Sequence, residues 1–248
     1  VPAAGFNGER VVMVAAGGRH TVALSEEGHV FTWGWGYYGQ LGHGDREPQR
    51  RPRQLEAGLF GGEKVVFVTA GGIHSVALTS GGRLYTWGGG VWGQLGHGDT
   101  NSRLVPTLVE AGAFGGSAVV MVACGNGHNL VVTQDGVLWV CGAGQYGQLG
   151  LGDWQSRHAF ERVEAGAFGG ARIVAAAAGS QHSAAVTEDG ALWTWGAGDD
   201  GQLGHGDGGH RRVPSLVEDF QLGGRRFGRG RCRALPAEHA LAFAMGTH

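Results

Sequence analysis

Five histidines set the rhythm of this chain. His20, His74, His128 and His182 stand 54 residues apart, and His239 follows after 57. The phrase VVMVAAGGRHTVALSEEGHVFTWGWGYYGQLGHGD surrounds the first, and close variants of it surround the next three. A period of this length marks a solenoid, propeller or array, in which each unit buries its apolar face only against its neighbours. Glycine is the compositional outlier, at 51 of 248 residues. With no Gly-X-Y period and only 6 prolines, collagen is excluded. Because the glycines are interleaved with Trp, Leu and Val, they read as tight turns between strands rather than as a flexible linker.

Within one unit the pattern reads as four short strands. Val11 to Ala16 predicts a buried inner strand, Gly17-Gly18 a turn, and His20 to Ser25 a second strand. Glu26-Glu27-Gly28 and its equivalents, among them Gln134-Asp135-Gly136, read as hairpin turns. His29 to Gly34 reads as a third strand and Pro52 to Ala57 as an outer one. The linkers beginning at Glu56, Glu110 and Glu164 predict one helical turn closed by a left-handed glycine. Four strands in about fifty residues make one propeller blade. The expected fold is therefore all-β, a β-propeller of four-stranded antiparallel blades in a single domain, 1–248. Full repeats span approximately 9–62, 63–116, 117–170 and 171–224, with partial pieces at 1–8 and 225–248. Three arrangements fit: a five-bladed ring with an incomplete last blade, which is preferred, an open arc, or a piece of a longer chain.

The phrase A-G-x-x-H-[TS]-x-A-L, followed by W-G-x-G-x-x-G-Q-L-G-x-G-D, resembles the regulator of chromosome condensation repeat. Ala16 to Asp45 and Ala70 to Asp99 carry nearly all of it. The third unit departs at Val140-Cys141 and at Leu151. The resemblance implies a propeller that acts by binding proteins. Its founding member is an exchange factor for the small GTPase Ran, which implies acidic residues in the loop before the repeat histidine. Only Glu238 answers to that here, and no inserted β-wedge interrupts the repeats. A plant ultraviolet-B photoreceptor of this fold uses Trp just before that histidine; the phrases GGRH, GGIH, GNGH and GSQH contain none, so that role is not expected.

A net charge of −2 gives no drive toward nucleic acid or anionic membrane, and no run of 18 apolar residues exists. Arg50-Arg51-Pro52-Arg53 and the arginines of 225–233 read as solvated edges. Cys124, Cys141 and Cys232 fit no CxxC pattern and suit a reducing compartment, so an intracellular site, cytoplasmic or nuclear, is expected. No nucleophile elbow, P-loop, HExxH or triad is present, and neither an enzyme nor a cofactor is expected.

Residues identical in every unit read as scaffold. The repeat histidines read as caps on the turn before their strand, Asp45, Asp99, Asp153 and Asp207 as turn-formers, and His43, His97 and His205 as surface variables. Trp33, Trp87 and Trp195 share one register, with Cys141 in the third unit, and read as aromatics packed between blades. Specificity is expected where units differ. The position before each histidine reads Arg19, Ile73, Gly127, Gln181 and Glu238. The loop after WGxG reads Tyr37-Tyr38, Val91-Trp92, Gln145-Tyr146 and Asp199-Asp200, and Trp154 projects from a further loop. All of these except Gly127 are candidate partner-binding residues, with packing on the neighbouring blade an equal alternative for the aromatics. The leading reading is a protein-interaction scaffold. A Ran-like exchange factor, an inhibitor-type binder, and a fragment of a larger ubiquitin ligase or kinase are the alternatives. Self-association through open blade edges is a further expectation.

Overall fold

The computed structural model describes residues 5–218, together with 221–222 and 225–226. Four antiparallel four-stranded sheets follow one another, each a simple meander. The first holds β1 (Val11–Ala16), β2 (His20–Ser25), β3 (Val30–Gly34) and β4 (Gln49–Gln54). The second holds β5 (Val65–Ala70), β6 (His74–Thr79), β7 (Leu84–Gly88) and β8 (Arg103–Leu108). The third holds β9 (Val119–Cys124), β10 (His128–Thr133), β11 (Leu138–Gly142) and β12 (Arg157–Arg162), and the fourth β13 (Ile173–Ala178), β14 (His182–Thr187), β15 (Leu192–Gly196) and β16 (Arg211–Leu216). A two-stranded pairing of Gln221–Leu222 with Arg225–Arg226 follows. Successive inner strands pack against one another, β1 on β5, β5 on β9 and β9 on β13, which gives the radial stacking of propeller blades. The expected all-β fold of four-stranded antiparallel blades is what the described residues adopt, with four full blades among them. The anticipated continuation toward His248, including Glu238 and His239, lies outside the described residues.

The outer strand falls three residues earlier than Pro52 to Ala57. Pro52 does not open the strand; it sits in the register shift between the Thr32–Arg53 and Gly34–Gln49 pairs, where no ladder N–H is required. Leu55 then turns inward, buried, and Ala57–Phe60 forms a 3₁₀ turn ended by Gly61 at φ 65°, the left-handed stop that the linker implied. Ala111–Phe114 and Ala165–Phe168 repeat it.

Apolar side chains of one sheet meet those of the next. Val22, Leu24, Val30, Leu55 and Phe60 pack on Val65, Val68, Ala77, Tyr85 and Trp87 of the second sheet, and the two later interfaces repeat this set. Val65 and Val68 are 1% and 2% exposed, whereas Val11 and Val14, in the same registers of β1, are 36% and 60% exposed. The inner strand is thus buried where a preceding sheet covers it. Among the described residues, Phe6 alone is seated on the first sheet, edge-on to Phe31 and Trp33 at 5.3 and 6.0 Å, in the place Phe60 takes on Tyr85 and Trp87.

The repeat histidines do not cap their own turn. Three of them bond the following sheet instead. His20 Nε2 lies 2.8 Å from Ser75 Oγ, His74 Nε2 2.8 Å from Asn129 Oδ1, and His128 Nε2 3.0 Å from Ser183 Oγ. Ser75 Oγ donates to the Gln40 carbonyl, Asn129 Nδ2 to that of Gln94 and Ser183 Oγ to that of Gln148. Since each hydroxyl proton is already committed, the imidazole must be the donor, with its proton on Nε2. The indoles of Trp87 and Trp195 reach the Gln40 and Gln148 carbonyls at 2.9 and 2.8 Å. Gly17 is needed because a Cβ there would collide with the His20 ring. Burial pushes His20 and His128 down to about 3 and His74 to about 4, with neighbouring histidines adding to the effect on the first two. They are neutral structural donors at ordinary pH.

Candidate functional site

The turn after β1 and the long loop after β3 lie at the same end of each sheet, because the start of β2 pairs with the end of β3: His20 opposite Gly34, His74 opposite Gly88, His128 opposite Gly142. The backbone ties them further, Trp35 N–H donating to the Arg19 carbonyl and Gly89 N–H to that of Ile73. The two sets of variable positions therefore share one face.

In each long loop the second variable residue is held by a glutamine, buried in the first three and half-buried in the fourth. The N–H groups of Tyr38, Trp92, Tyr146 and Asp200 donate to the side-chain oxygens of Gln40, Gln94, Gln148 and Gln202 at 2.9 to 3.0 Å. This fixes a division within each pair. Tyr37, Val91 and Gln145 are exposed, while Tyr38, Trp92 and Tyr146 are half-buried. Trp92 lies against Gly127 of the next sheet, and Tyr146 meets His210 edge-on at 5.6 Å. Packing on the neighbouring blade thus claims Trp92 and Tyr146, while Tyr38 packs within its own loop and Tyr37 faces solvent. Asp199 and Asp200 are exposed. Ile73 is half-buried against Gly89, and Gln181 is half-buried. Trp154, 43% exposed, lies beside His210 at 6.4 Å, on the outer side of the third and fourth sheets. Glu238 is outside the described residues.

The first sheet gathers the densest group. Trp35 and Tyr37 stack at 5.9 Å and 11°, and Tyr38 stands edge-on to both at 5.4 and 5.3 Å. The Arg19 guanidinium lies 5.5 Å from the Trp35 ring centre, and Arg46 donates to the Tyr37 carbonyl at 2.9 Å. Tyr37 is 58% exposed. Sequence reasoning passed over Trp35 and His210. The signal for Trp35 was in plain view, since its register reads Trp35, Gly89, Ala143 and Ala197. His210 is brought to Trp154 and Tyr146 only by the fold. The result is an aromatic and cationic patch on the first sheet and acidic Asp199 and Asp200 on the fourth.

The GHGD motif proves to be structural. Asp45, Asp99, Asp153 and Asp207 each accept the N–H two residues on, the turn role expected of them. The histidines are not free surface positions. His43, His97 and His205 Nε2 lie 2.9 to 3.0 Å from Thr32, Thr86 and Thr194 Oγ1, and burial lowers all three imidazoles, His43 to about 4. In the third unit both partners change together, to Val140 and Leu151, and Leu151 joins the apolar cluster. Among the described residues no group of three or more His, Cys, Asp or Glu is placed to hold a metal. No described helix is long and apolar enough to cross a membrane.

A tandem array of four-stranded antiparallel blades defines a repeat β-propeller. The chain belongs to the RCC1-like domain family, whose model matches residues 1–235. It is 44% identical over 212 residues to the human E3 ubiquitin-protein ligase HERC2, covering 85% of this chain and 4% of that protein. It is 42% identical over 219 residues to the Arabidopsis thaliana ultraviolet-B receptor UVR8, covering 88% of this chain and 48% of the receptor. Among solved structures, human WBSCR16 aligns with a TM-score of 0.76 at 29% identity, over 84% of this chain and 53% of that one. Yeast RCC1 (Prp20), solved with Kap60 bound, aligns with a TM-score of 0.72 at 26% identity, over 85% and 49%. The chain thus spans about half the length of UVR8 and of these two structures, and a small part of HERC2.

Proposed function

We propose that this chain is a protein-binding module whose partner seats on the loop face over Arg19, Trp35, Tyr37 and Tyr38. The observation that carries the reading is an exposed tyrosine held rigid by two aromatic neighbours, with cations beside it. Rigid aromatic side chains and arginine supply most of the energy in protein interfaces. The exposed Val91 and Gln145 extend the contact along the face, and Arg19 and Arg46 favour an acidic or aromatic partner segment. The partner is sought inside the cell, consistent with the unpaired Cys124 and Cys141. The test compares cross-linked partners of the native chain with those of Tyr37→Ser and Trp35→Ala. The partner lost from both variants, at unchanged thermal stability, defines the site; an identical partner set for all three chains removes the proposal.

A second reading follows from one solved relative, Prp20p, whose structure is described together with its binding to Gsp1p and histones. Exchange activity on a small GTPase is the corresponding proposal here. The residues before the described histidines, Arg19, Ile73, Gly127 and Gln181, supply no acid, which ranks it second. A nucleotide-release assay decides it: no acceleration over the intrinsic rate removes it. The match to a stretch of HERC2 supports a third, that the module works within a larger ligase.

A further inference from the structure

At the joint between the third and fourth sheets three aromatic side chains meet. The Trp154 indole lies over Gly147, where a Cβ would touch both the ring and the Arg212 backbone, so the ring spans the joint. His210 stands 6.4 Å from it, and Tyr146 meets His210 edge-on at 5.6 Å. The corresponding positions read Tyr38, Arg46 and Ser102 at the first joint and Trp92, Thr100 and Ser156 at the second, so neither can build such a shelf. Trp154 is 43% exposed although its own sheet has a neighbour on either side, so the exposure belongs to the loop itself.

One carboxylate beside the shelf is left uncompensated. Asp199 Oδ1 lies 3.6 Å from His210 Nδ1, and the Asp199 side chain is 66% exposed. Exposure is the rule at this loop position, since Tyr37, Val91 and Gln145 share it. The Gly198 N–H donates to His210 Nδ1 at 3.2 Å, the part Ser156 Oγ plays for Gly144 at 3.3 Å. With that lone pair committed, His210 has no proton on Nδ1 to give Asp199. The nearby cations are engaged elsewhere. Arg211 pairs with Asp207 at 2.8 Å, and Asp153 is held below the usual carboxylate range by Arg157 first and also by Arg212.

We propose that this shelf takes an arginine side chain of a partner protein, its guanidinium stacked on the exposed face of Trp154 and donating to the Asp199 carboxylate. The chain itself displays the stacking half of the contact, with the Arg19 guanidinium 5.5 Å from the Trp35 ring centre. At Trp154 the ring and the acid are present and the cation must come from outside. A planar guanidinium can lie on an indole and give two parallel N–H groups to a carboxylate, whereas a lysine ammonium is a point charge. The site stands on the third and fourth sheets, apart from the Arg19–Tyr37 group of the first, and does not depend on that group binding anything.

The test titrates the full chain with capped Gly-Ser peptides that differ only in carrying arginine, lysine or glutamate, and follows the Trp154 indole N–H and the Gly198 and Asp199 amides by NMR. The expected result is a saturable shift with the arginine peptide, binding of the lysine peptide weaker by about threefold or more, and no shift with the glutamate peptide. Trp154→Ala and Asp199→Asn, both at exposed side chains, should each weaken the arginine peptide by about threefold or more at unchanged thermal stability. Tyr37→Ser and Trp35→Ala should leave its affinity as it was. No saturable shift, or an equal response to the glutamate peptide, overturns the proposal. So does undiminished affinity in Trp154→Ala or in Asp199→Asn. Equal affinity for the lysine peptide overturns the assignment to a guanidinium. Binding lost in Tyr37→Ser and kept in Trp154→Ala puts the cation on the first sheet and overturns the site.

Discussion

The third sheet departs from the repeat at three linked positions, and reverting one alone is expected to be harmful. Where the other sheets pair a small hydroxyl with Trp, as Ser75 with Trp87 and Ser183 with Trp195, the third pairs Asn129 with Cys141. Where the others have Pro52, Pro106 and Pro214, it has Phe160. The Phe160 ring lies over Gly96, in the space the indoles of Trp87 and Trp195 take over Gly42 and Gly150. It packs on Phe114 at 4.9 Å, and Cys141 Sγ keeps a contact of 3.4 Å to the Gln94 carbonyl. Cys141 and Phe160 are 0% and 6% exposed, so an indole at 141 has no room. Cys141→Trp alone is expected to cost about 3 kcal/mol through overpacking. Phe160→Pro alone should cost a similar amount by leaving a cavity, about 3 kcal/mol. The triple variant Asn129→Ser, Cys141→Trp, Phe160→Pro restores the arrangement of the second sheet and should fall within about 1 kcal/mol of the native chain, a coupling of several kcal/mol. Urea unfolding midpoints at constant slope measure this. If the triple variant loses as much as the single losses added together, the compensation argument is wrong.

Acid should destabilise the chain through the relay histidines. Their folded pKa values, about 3, 4 and 3 for His20, His74 and His128, lie below the ordinary 6.5. The unfolded chain therefore binds protons first: stability is whole above pH 6.5 and falls as pH drops toward 4. Each histidine contributes a slope of about 1.4 kcal/mol per pH unit, so His74→Gln should flatten the pH dependence of the urea midpoint; an unchanged slope refutes the assignment. Ser183→Ala strands the buried His128 N–H and should cost about 2 kcal/mol by the same assay, while loss of the hydroxyl without measurable effect would mean the relay is not a stabilising network. Converting Val140 and Leu151 together to Thr and His should be tolerated within about 1 kcal/mol, whereas Leu151→His alone buries an imidazole without its hydroxyl partner and should cost about 2 kcal/mol. Equal losses for the two variants would refute the pairing.

Much of this fold could be read from spacing. Period-two alternation and glycine turns placed β2 and β3 nearly to the residue, and Glu56 to Gly61 gave its 3₁₀ turn through a left-handed glycine. What escaped was whatever depends on the next unit. Alternation within β1 says which side chains face inward, but whether Val14 is buried depends on a sheet that precedes it. A local reading assigned the repeat histidines to their own turns, since a bond from His20 to Ser75 spans 55 residues. Pro52 misled for a related reason, because a register shift let it sit inside the strand. On the loop face, the variable positions were found by comparing units. Their division into exposed and packed aromatics required knowing that Gln40 and its equivalents tie down the second of each pair.

The Thr32–His43 pair and its Val140–Leu151 replacement have a bearing on how such an array can change over generations. Both partners belong to one unit. A unit copied whole takes these adjustments with it, so its interior can drift freely provided it drifts in concert. The imidazole relay is different, because donor and acceptor are inherited in separate units. Any unit that changes its half must still suit neighbours it did not arise with. Shared joints therefore change only within what the imidazole donor accepts, as Ser75, Asn129 and Ser183 do, while private ones diversify, and a unit moved to another position should fit there because its joints speak the common language of the array.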